Sequence, residues 1–340
     1  MADLVCFGEA MLRLTPANGC RLEQMQQLEA QVGGSEFNVA VGASRLGLPS
    51  AWVTSLPDNP LGRMARNKAR EHGVDVSGVH WAPDSRLGLY FVEKGAAPRP
   101  SAVLYDRAHS AIASLRPEAL DWPRLLKGAR GFHTSGITPA LGQGTAQATL
   151  DALKTARRLG CFTSYDLNYR RNLWTPQQAA QVQREMLDYV DLLITTEEDA
   201  HVVFGISPGT VDTTYANLDA DTYAEVARKL SETFKIPAVA ITMRKNPSVW
   251  HNAWSALVWH DGTVHRSVEY QLEVVDRIGA GDSLAAGLLF SYLRDRDWGR
   301  AVAFGTAFSA LKHSIPGDCN WSSEAEVQRL LSDRALRVAR

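Results

Sequence analysis

The residues best suited to chemistry are Gly279, Ala280, Gly281 and Asp282, which precede an apolar, helix-like run. Small residues leave the backbone accessible where a helix begins. The N–H groups at a helix N-terminus are partly positive and attract an anion such as phosphate. A carboxylate beside a bound phosphate is a candidate general base for a hydroxyl nucleophile. Gly-x-Gly-Asp alone is explained about as well by an ordinary helix cap.

The longer segment 275–287, Val-Asp-Arg-Ile-Gly-Ala-Gly-Asp-Ser-Leu-Ala-Ala-Gly, resembles the C-terminal signature of the ribokinase-like (PfkB) sugar kinases. This resemblance implies that Asp282 is the catalytic base. It also implies that the N–H groups of Gly279, Ala280 and Gly281 form an anion hole, with Gly279 and Gly281 beside ATP. The implied phosphate donor is ATP with Mg²⁺.

A second motif, Gly33–Ala40, resembles the sugar-binding Gly-Gly-x-x-x-Asn motif of the same family. Two glycines before a helix allow the backbone to approach a ligand closely. The resemblance implies that Gly34 and Asn38 contact sugar hydroxyls. Without it, a turn followed by a helix cap at Ser35 explains the same residues.

A third set of residues suggests an acidic substrate. The planar fork of Arg107, in Tyr105-Asp106-Arg107, matches a carboxylate, for which a neutral sugar has no use. Tyr-x-Arg at this place, and the run 311–318, resemble the 2-keto-3-deoxygluconate kinases within the family. The resemblance implies substrate contacts from Tyr90, Tyr105, Arg107 and Asp318. Without the resemblance, Arg107 could be an exposed arginine on an edge strand. Asp318 could be a solvated aspartate in a turn that ends a helix.

Three segments correspond to the nucleotide side in the family. In 166–174 the resemblance places Asn168 near the phosphates and Arg170 near substrate and phosphate, although Arg171 competes with Arg170. In 195–199, Thr196 and Asp199 replace the asparagine and glutamate of the family motif that organises Mg²⁺ through water. An acidic first helical turn explains Asp199 equally well. In 240–244, Thr242 and Arg244 are candidate ATP contacts, although Arg244 replaces a glycine.

The elements that position these residues alternate between short apolar strands and helices. Predicted strands include Leu4–Phe7, 131–134, 161–165, 192–195 and 238–242, and most of the polar residues named above follow a strand directly. The alternation predicts an α/β fold with a mostly parallel sheet covered by helices on both faces, whose ligands bind at the carboxyl ends of the strands.

Two segments, roughly 10–32 and 86–107, show strand patterns without intervening helices. The resemblance implies that they form a β-lid on a single ribokinase-like kinase domain spanning residues 1–340. No function is assigned to the polar loop 205–221. An exposed lid face makes a dimer through the lid plausible.

The composition of the chain limits the classes of partner that we expect it to bind. The net charge of −1 gives no reason to expect binding to nucleic acid or an anionic membrane. No apolar run reaches the about 18 residues of a transmembrane helix, and the N-terminus has no basic signal-peptide region, so the cytoplasm is expected. The four cysteines are far apart, which disfavours a zinc site or disulfides, and Cys6 and Cys161 are predicted to lie in the core.

The resemblance, which extends over nearly the whole chain, implies a kinase that transfers the γ-phosphoryl group of ATP to the C6 hydroxyl of 2-keto-3-deoxygluconate. A kinase for a neutral sugar such as fructose or ribose is the nearest alternative. A sugar-binding protein without catalytic activity is a third possibility, because Thr196 and Arg244 depart from the family pattern.

Overall fold

The computed structural model describes residues 2–208, 219–245 and 250–332. Most of the predicted 205–221 loop, residues 209–218, lies outside these ranges. Two sheets are present in the described part. Elements are numbered along the chain.

The larger sheet has ten strands among the described residues, in the order β13-β12-β11-β10-β9-β8-β1-β4-β5, with β14 paired to β12. Pairing is parallel from β11 through to β5, and β12, β13 and β14 are antiparallel. The strands are β1 (Leu4–Phe7), β4 (Ser50–Pro57), β5 (Val79–Ala82), β8 (Gly131–Ser135), β9 (Phe162–Asp166), β10 (Leu192–Thr195), β11 (Ala238–Lys245), β12 (His251–His260), β13 (Thr263–Arg266) and β14 (Tyr270–Glu273).

Helices cover both faces of this sheet, because alternate residues of its strands enter two different hydrophobic cores. Leu4 and Cys6 of β1 pack with α1, α2, α9, α10 and α11, whereas Val5 and Phe7 pack with α3 and α5–α8. The helices are α1 (Ser35–Arg45), α2 (Pro60–Glu71), α3 (Trp122–Leu125), α4 (Ile137–Ala140), α5 (Gln143–Arg158), α6 (Pro176–Leu187), α7 (Glu197–Phe204), α8 (Ala220–Phe234), α9 (Ala280–Asp295), α10 (Trp298–Lys312) and α11 (Glu324–Ser332). The predicted α/β fold is confirmed.

The smaller sheet is built from the two segments that lacked helices in the sequence. Its order is β3-β2-β6-β7, with β2 (Met11–Pro16) antiparallel to β3 (Leu28–Gly33) and parallel to β6 (Gly88–Glu93). β7 (Ala102–Asp106) pairs antiparallel with β6. We call these four strands the small sheet.

One helix boundary predicted from the sequence is wrong. Gly34, in an extended conformation, is the N-cap of α1, and Ser35 is its first helical residue. The Ser35 hydroxyl does not cap the helix because it donates to Asp282 at 2.8 Å. By contrast, the Asn59 side chain caps α2 by accepting from the N–H groups of Leu61 and Gly62, and Pro60 is the first helical residue.

Two compositional predictions can be compared with the described residues. No helix there has the length and apolar character needed to cross a membrane. All four cysteines are free, and Cys6 and Cys161 are buried as predicted.

Candidate active site

A cavity of about 1030 Å³ lies where strands of the larger sheet end, beside the small sheet. Ends of β9, β10 and β11 reach it, which is where parallel sheets bind ligands. Every site residue predicted from the sequence lines this cavity: Gly34, Asn38, Tyr90, Tyr105, Arg107, Asn168, Arg170, Asp199, Thr242, Arg244, Gly279, Ala280, Gly281, Asp282 and Asp318. The fold thus brings together residues that are spread over most of the chain.

Asp282 lies in the first turn of α9 and is held on both carboxylate oxygens. Ser35 Oγ donates to Oδ1 at 2.8 Å, and Asn38 Nδ2 donates to Oδ2 at 2.7 Å. Burial raises the pKa of Asp282, while these two hydrogen bonds and the nearby Arg170 act in the opposite direction. One amide hydrogen of Asn38 is therefore committed to Asp282, and a sugar contact would use the other.

The backbone before Asp282 forms a tight turn that only glycine fits. Gly279 has φ of 83°, and a Cβ there would lie 1.9 Å from the Asp318 carbonyl oxygen. A Cβ on Gly281 would meet open space. The N–H of Ala280 donates to the Arg277 carbonyl at 3.3 Å, so Ala280 is the least available of the three predicted anion-hole donors.

Carboxylates are concentrated around the cavity. Burial raises the pKa of Asp166 well above its usual range, and the charges of Asp282 and Asp199 raise it further. Burial also raises the pKa of Asp199 to about 6, against the effect of Arg170. Repulsion among these carboxylates favours the binding of a cation in the cavity. Arg170 is partly buried and lowers the pKa of all three acids. Arg171 also lines the cavity but is exposed.

The donor set fits a magnesium ion that keeps most of its waters. No group of three histidine, cysteine or acidic residues capable of holding a metal occurs in the described part of the chain. Mg²⁺ bound mainly by phosphate oxygens and water needs only one or two protein carboxylates. Asp199 lines the cavity, and its Oδ2 accepts from the Tyr169 N–H at 3.2 Å. Its own backbone N–H donates to Thr196 Oγ1 at 3.0 Å. Thr196 is thus the N-cap of α7.

The residues predicted to hold the nucleotide all line the cavity. Asn168 follows β9 with φ of 41°, a left-handed conformation that asparagine tolerates, and its Nδ2 donates to Ser35 Oγ at 3.1 Å. Thr242 is buried on β11 and Arg244 is exposed at the cavity. Burial raises the pKa of Glu197, and Arg244 counters that rise.

Arg107 lines the cavity with its charge already paired. Its Nε donates to Glu9 Oε2 at 2.9 Å and its Nη2 donates to the same oxygen, while Ser110 Oγ donates to Glu9 Oε1 at 2.9 Å. Arg107 and Glu9 are both buried. A substrate carboxylate would therefore reach Arg107 through its remaining Nη1 edge. Tyr105 stacks on Tyr90 in the same wall, with ring centroids 5.9 Å apart.

Asp318 is also part of a buried pair. Arg13 Nη1 donates to Asp318 Oδ1 at 2.7 Å, Arg13 Nη2 donates to Asp276 Oδ2 at 2.7 Å, and Tyr90 Oη donates to Asp318 Oδ2. A Cβ on Gly33 would lie 2.2 Å from Asp318 Oδ2, which explains the first glycine of that motif. Asp318 thus lies between the small sheet and the turn that precedes α9.

Sequence reasoning missed four residues that hold this site in place: Glu9, Arg13, Ser35 and Glu36. Arg13 carried a signal, because a charged residue inside the apolar strand Met11–Pro16 calls for a buried partner. Glu36 accepts three hydrogen bonds on Oε1, from the N–H and Oγ of Ser135 and from Thr138 Oγ1. Burial raises the pKa of Glu36 to about 7.

The fold and the cavity define a ribokinase-like α/β protein with a buried carboxylate in the first turn of a helix that begins at the cavity. A model of the pfkB family carbohydrate kinases matches residues 1–325, and the chain belongs to this family.

Three proteins that are similar to this chain differ in how closely they match it. A 2-dehydro-3-deoxygalactonokinase of Haloferax volcanii is 38% identical over 330 residues, covering 97% of this chain and 96% of that protein. A crystal structure of 2-dehydro-3-deoxygluconokinase from Thermotoga maritima matches with a TM-score of 0.93 and 42% identity, covering 98% of this chain and 100% of that one. A putative ribokinase II from E. coli in complex with ATP and Mg²⁺ is 18% identical, covers 98% of this chain and 100% of its own, and shares the fold with a TM-score of 0.80.

Proposed function

We propose that this kinase transfers the γ-phosphoryl group of ATP to the C6 hydroxyl of 2-keto-3-deoxygluconate (2-dehydro-3-deoxygluconate), giving the 6-phosphate. The observation that carries the proposal is that Asp282, at the N-terminus of α9, shares one cavity with Arg107 and Arg170. An acid and an anion-binding helix end suit phosphoryl transfer, and the arginines suit a substrate carboxylate. The names of the Haloferax and Thermotoga proteins support the same class of substrate.

In the proposed mechanism Asp282 accepts the proton of the C6 hydroxyl as that oxygen attacks the γ-phosphorus. The bond from phosphorus to the β,γ-bridging oxygen breaks, and ADP leaves with that oxygen. The backbone N–H groups of Gly279 and Gly281 stabilise charge on the transferring group. Mg²⁺, when bound, neutralises charge on the ATP phosphates, and Asp199 would hold it through water.

Substrate and nucleotide are held by separate groups in this proposal. Arg107 and Arg170 hold the carboxylate end of the sugar acid. The other polar groups of the sugar contact residues of the first motif, the small sheet and the turn after α10, namely Gly34, Asn38, Tyr90, Tyr105 and Asp318. ATP lies along Asn168, Arg170, Thr242 and Arg244. Closure of the small sheet as a lid excludes water, so that phosphate is not lost to hydrolysis.

The test is ADP release measured across a small panel of acceptors. The panel contains 2-keto-3-deoxygluconate, its galactonate-derived epimer, fructose and ribose. We expect kcat/KM to be highest for a keto-sugar acid. Highest activity on fructose or ribose would establish the neutral-sugar alternative, and no ADP release with any of the four acceptors would contradict the proposal.

Three further predictions complete the proposal: residues 1–340 form one kinase domain, the enzyme is cytoplasmic, and it dimerises through the small sheet. Val103 and Leu104 on β7 are exposed apolar residues that support the dimer. Sedimentation of the wild type and of Leu104→Glu would test it, and an unchanged dimer in the variant would place the interface elsewhere.

A further inference from the structure

The Asp282 carboxylate is held by two side chains of α1. Ser35 Oγ lies 2.8 Å from Oδ1 and Asn38 Nδ2 lies 2.7 Å from Oδ2. Each carboxylate oxygen therefore accepts one hydrogen bond and keeps a further lone-pair direction. The arrangement fixes the orientation of the carboxylate relative to the cavity.

The direction of the Ser35 hydrogen bond follows from a third side chain. Asn168 Nδ2 lies 3.1 Å from Ser35 Oγ. An amide nitrogen can only donate, so the Ser35 oxygen accepts from Asn168. The single hydroxyl proton of Ser35 is then available for Asp282. The result is a directed chain from Asn168 to Ser35 to Asp282.

Both helices contribute their N-terminal ends to this chain. Ser35 is the first residue of α1, and Asp282 is the third residue of α9. Partial positive charge at a helix N-terminus favours a negative group nearby. The Asp282 carboxylate thus lies between two such ends, which supports its ionised form.

This support is needed because most charged groups that face Asp282 oppose its ionisation. Burial is the largest influence and raises the pKa of Asp282, and the Asp318 charge raises it further. Arg170 and the donors on α1 lower it. The titratable groups that interact with Asp282 come from α1, from the segment 166–170 and from the segment after α10: Glu36, Asp166, Arg170, Asp318 and Cys319.

We propose that Ser35 is a positioning residue that keeps the Asp282 carboxylate ionised and aimed into the cavity. The proposal rests on the proposed function, because it concerns the base of that reaction. Ser35 itself need not touch substrate. Its hydroxyl acts through Asp282, and its hydrogen bond from Asn168 links the base to a residue proposed to contact ATP.

The test compares Ser35→Ala with Ser35→Thr, which keeps the hydroxyl. Loss of a hydrogen bond to a charged group should move the acidic limb of the kcat/KM profile upward by about one pH unit. On that acidic limb the alanine variant should be about tenfold slower than the wild type at the same pH, and on the plateau at higher pH the two should agree within about threefold. Ser35→Thr should restore most of the wild-type profile. Ser35→Cys, with a weak donor, gives the same readout as Ser35→Ala if the latter folds poorly.

Ser44→Ala is the matched control, because Ser44 lies on the same helix and donates to the His72 carbonyl at 2.7 Å. It should leave the profile unchanged. An unshifted profile in Ser35→Ala would overturn the proposal. A loss of rate that is equal at every pH would also overturn it, since that pattern indicates altered packing only.

A second readout needs no substrate. Infrared difference spectra recorded during a pH titration contain a protonated-carboxyl band that is missing in Asp282→Asn. In Ser35→Ala this band should appear at higher pH than in the wild type. If the wild type phosphorylates none of the panel acceptors, the proposed function fails, but the titration still decides the role of Ser35. An unchanged band position would overturn that role.

Discussion

Asp282 is the residue on which the proposed reaction depends. Asp282→Asn removes the group that accepts the hydroxyl proton while keeping a side chain of the same shape. We expect kcat to fall by about 10²-fold or more, the usual scale for losing a general base. KM for both substrates should stay within about threefold. Steady-state ADP release measures both constants.

Asp295→Asn, at the other end of α9, is the control for this prediction. It changes the same charge on the same helix far from the cavity and should leave kcat unaltered. Near-normal turnover in Asp282→Asn would remove Asp282 from the role of base.

Arg107 carries the argument for an acidic substrate, but its pairing with Glu9 complicates the simplest experiment. Removing Arg107 alone leaves the Glu9 carboxylate buried without its charged partner, and this by itself destabilises the folded protein. The double variant Glu9→Gln with Arg107→Gln removes both charges. We expect its kcat/KM to fall about 10-fold to 100-fold further on the keto-sugar acid than on fructose.

The ratio between the two substrates cancels any structural damage common to both. Glu9→Gln alone is the control, and it should lower kcat/KM to a similar extent on the keto-sugar acid and on fructose. Equal losses on acid and ketose in the double variant would leave Arg107 without a role in recognising the carboxylate.

At the residue scale, sequence patterns identified the cavity lining but not the contacts within it. Asp282, Asn38 and Asp318 were found because they belong to short motifs. Glu9 was missed because its partner Arg107 is 98 positions away. The partners of Arg13 are 263 and 305 positions away, at Asp276 and Asp318. Pairings over such separations are set by the fold and leave no local pattern.

The elements themselves were predictable because their signals are local. Apolar runs of four to eight residues between glycine, proline and capping residues mark strands and helices directly. The start of α1 was placed wrongly because serine is a common cap, and only its long-range bond to Asp282 shows that it serves another purpose.

Two buried basic side chains bond to the turns before α9 and after α10, and one of them, Arg13, belongs to the small sheet. Arg13 of β2 bonds to both Asp276 and Asp318, and the carboxylate of Asp276 also accepts from the N–H groups of Ile278 and Gly317. Lys312 is fully buried and donates to the carbonyls of Asp276 and Ile315. These bonds hold the turn before α9 against the turn after α10.

This junction yields a prediction on stability. Arg13→Met should lower the free energy of unfolding by about 3–5 kcal/mol, because it leaves two buried carboxylates without their partner. Arg63→Met removes a pair with Asp58 in which both side chains are about half exposed, and should cost about 0–1 kcal/mol. Urea denaturation of both variants and the wild type measures the difference. Similar losses in the two variants would contradict a structural role for the Arg13 junction.

At the scale of the whole molecule, the two cores and the cavity impose different charge requirements. The central strands carry buried polar residues such as His133, which has no exposed surface. Around the cavity, acids are kept close together despite their repulsion, with Glu36 and Asp166 both shifted toward the neutral form. A buried histidine in the core must therefore be neutral. The carboxylates around the cavity repel one another, and a bound cation would reduce that repulsion.

His133 makes the stability of the whole molecule depend on pH. Burial lowers the pKa of His133 to about 3, from a usual value of 6.5. Below about pH 6.5 the unfolded chain gains a proton at this position that the folded chain does not accept. The stability that depends on this residue is therefore complete above pH 6.5 and is lost as the pH falls toward 3, by up to about 1.4 kcal/mol per pH unit.

Urea denaturation at pH 4.5 to 7.5 should show a weaker decline of the free energy of unfolding with falling pH in His133→Asn than in the wild type. His109→Asn, at an exposed position, should keep the wild-type slope. Because Glu36 and every other shared group cancel in the comparison, equal slopes in the wild type and His133→Asn would contradict a neutral, buried His133.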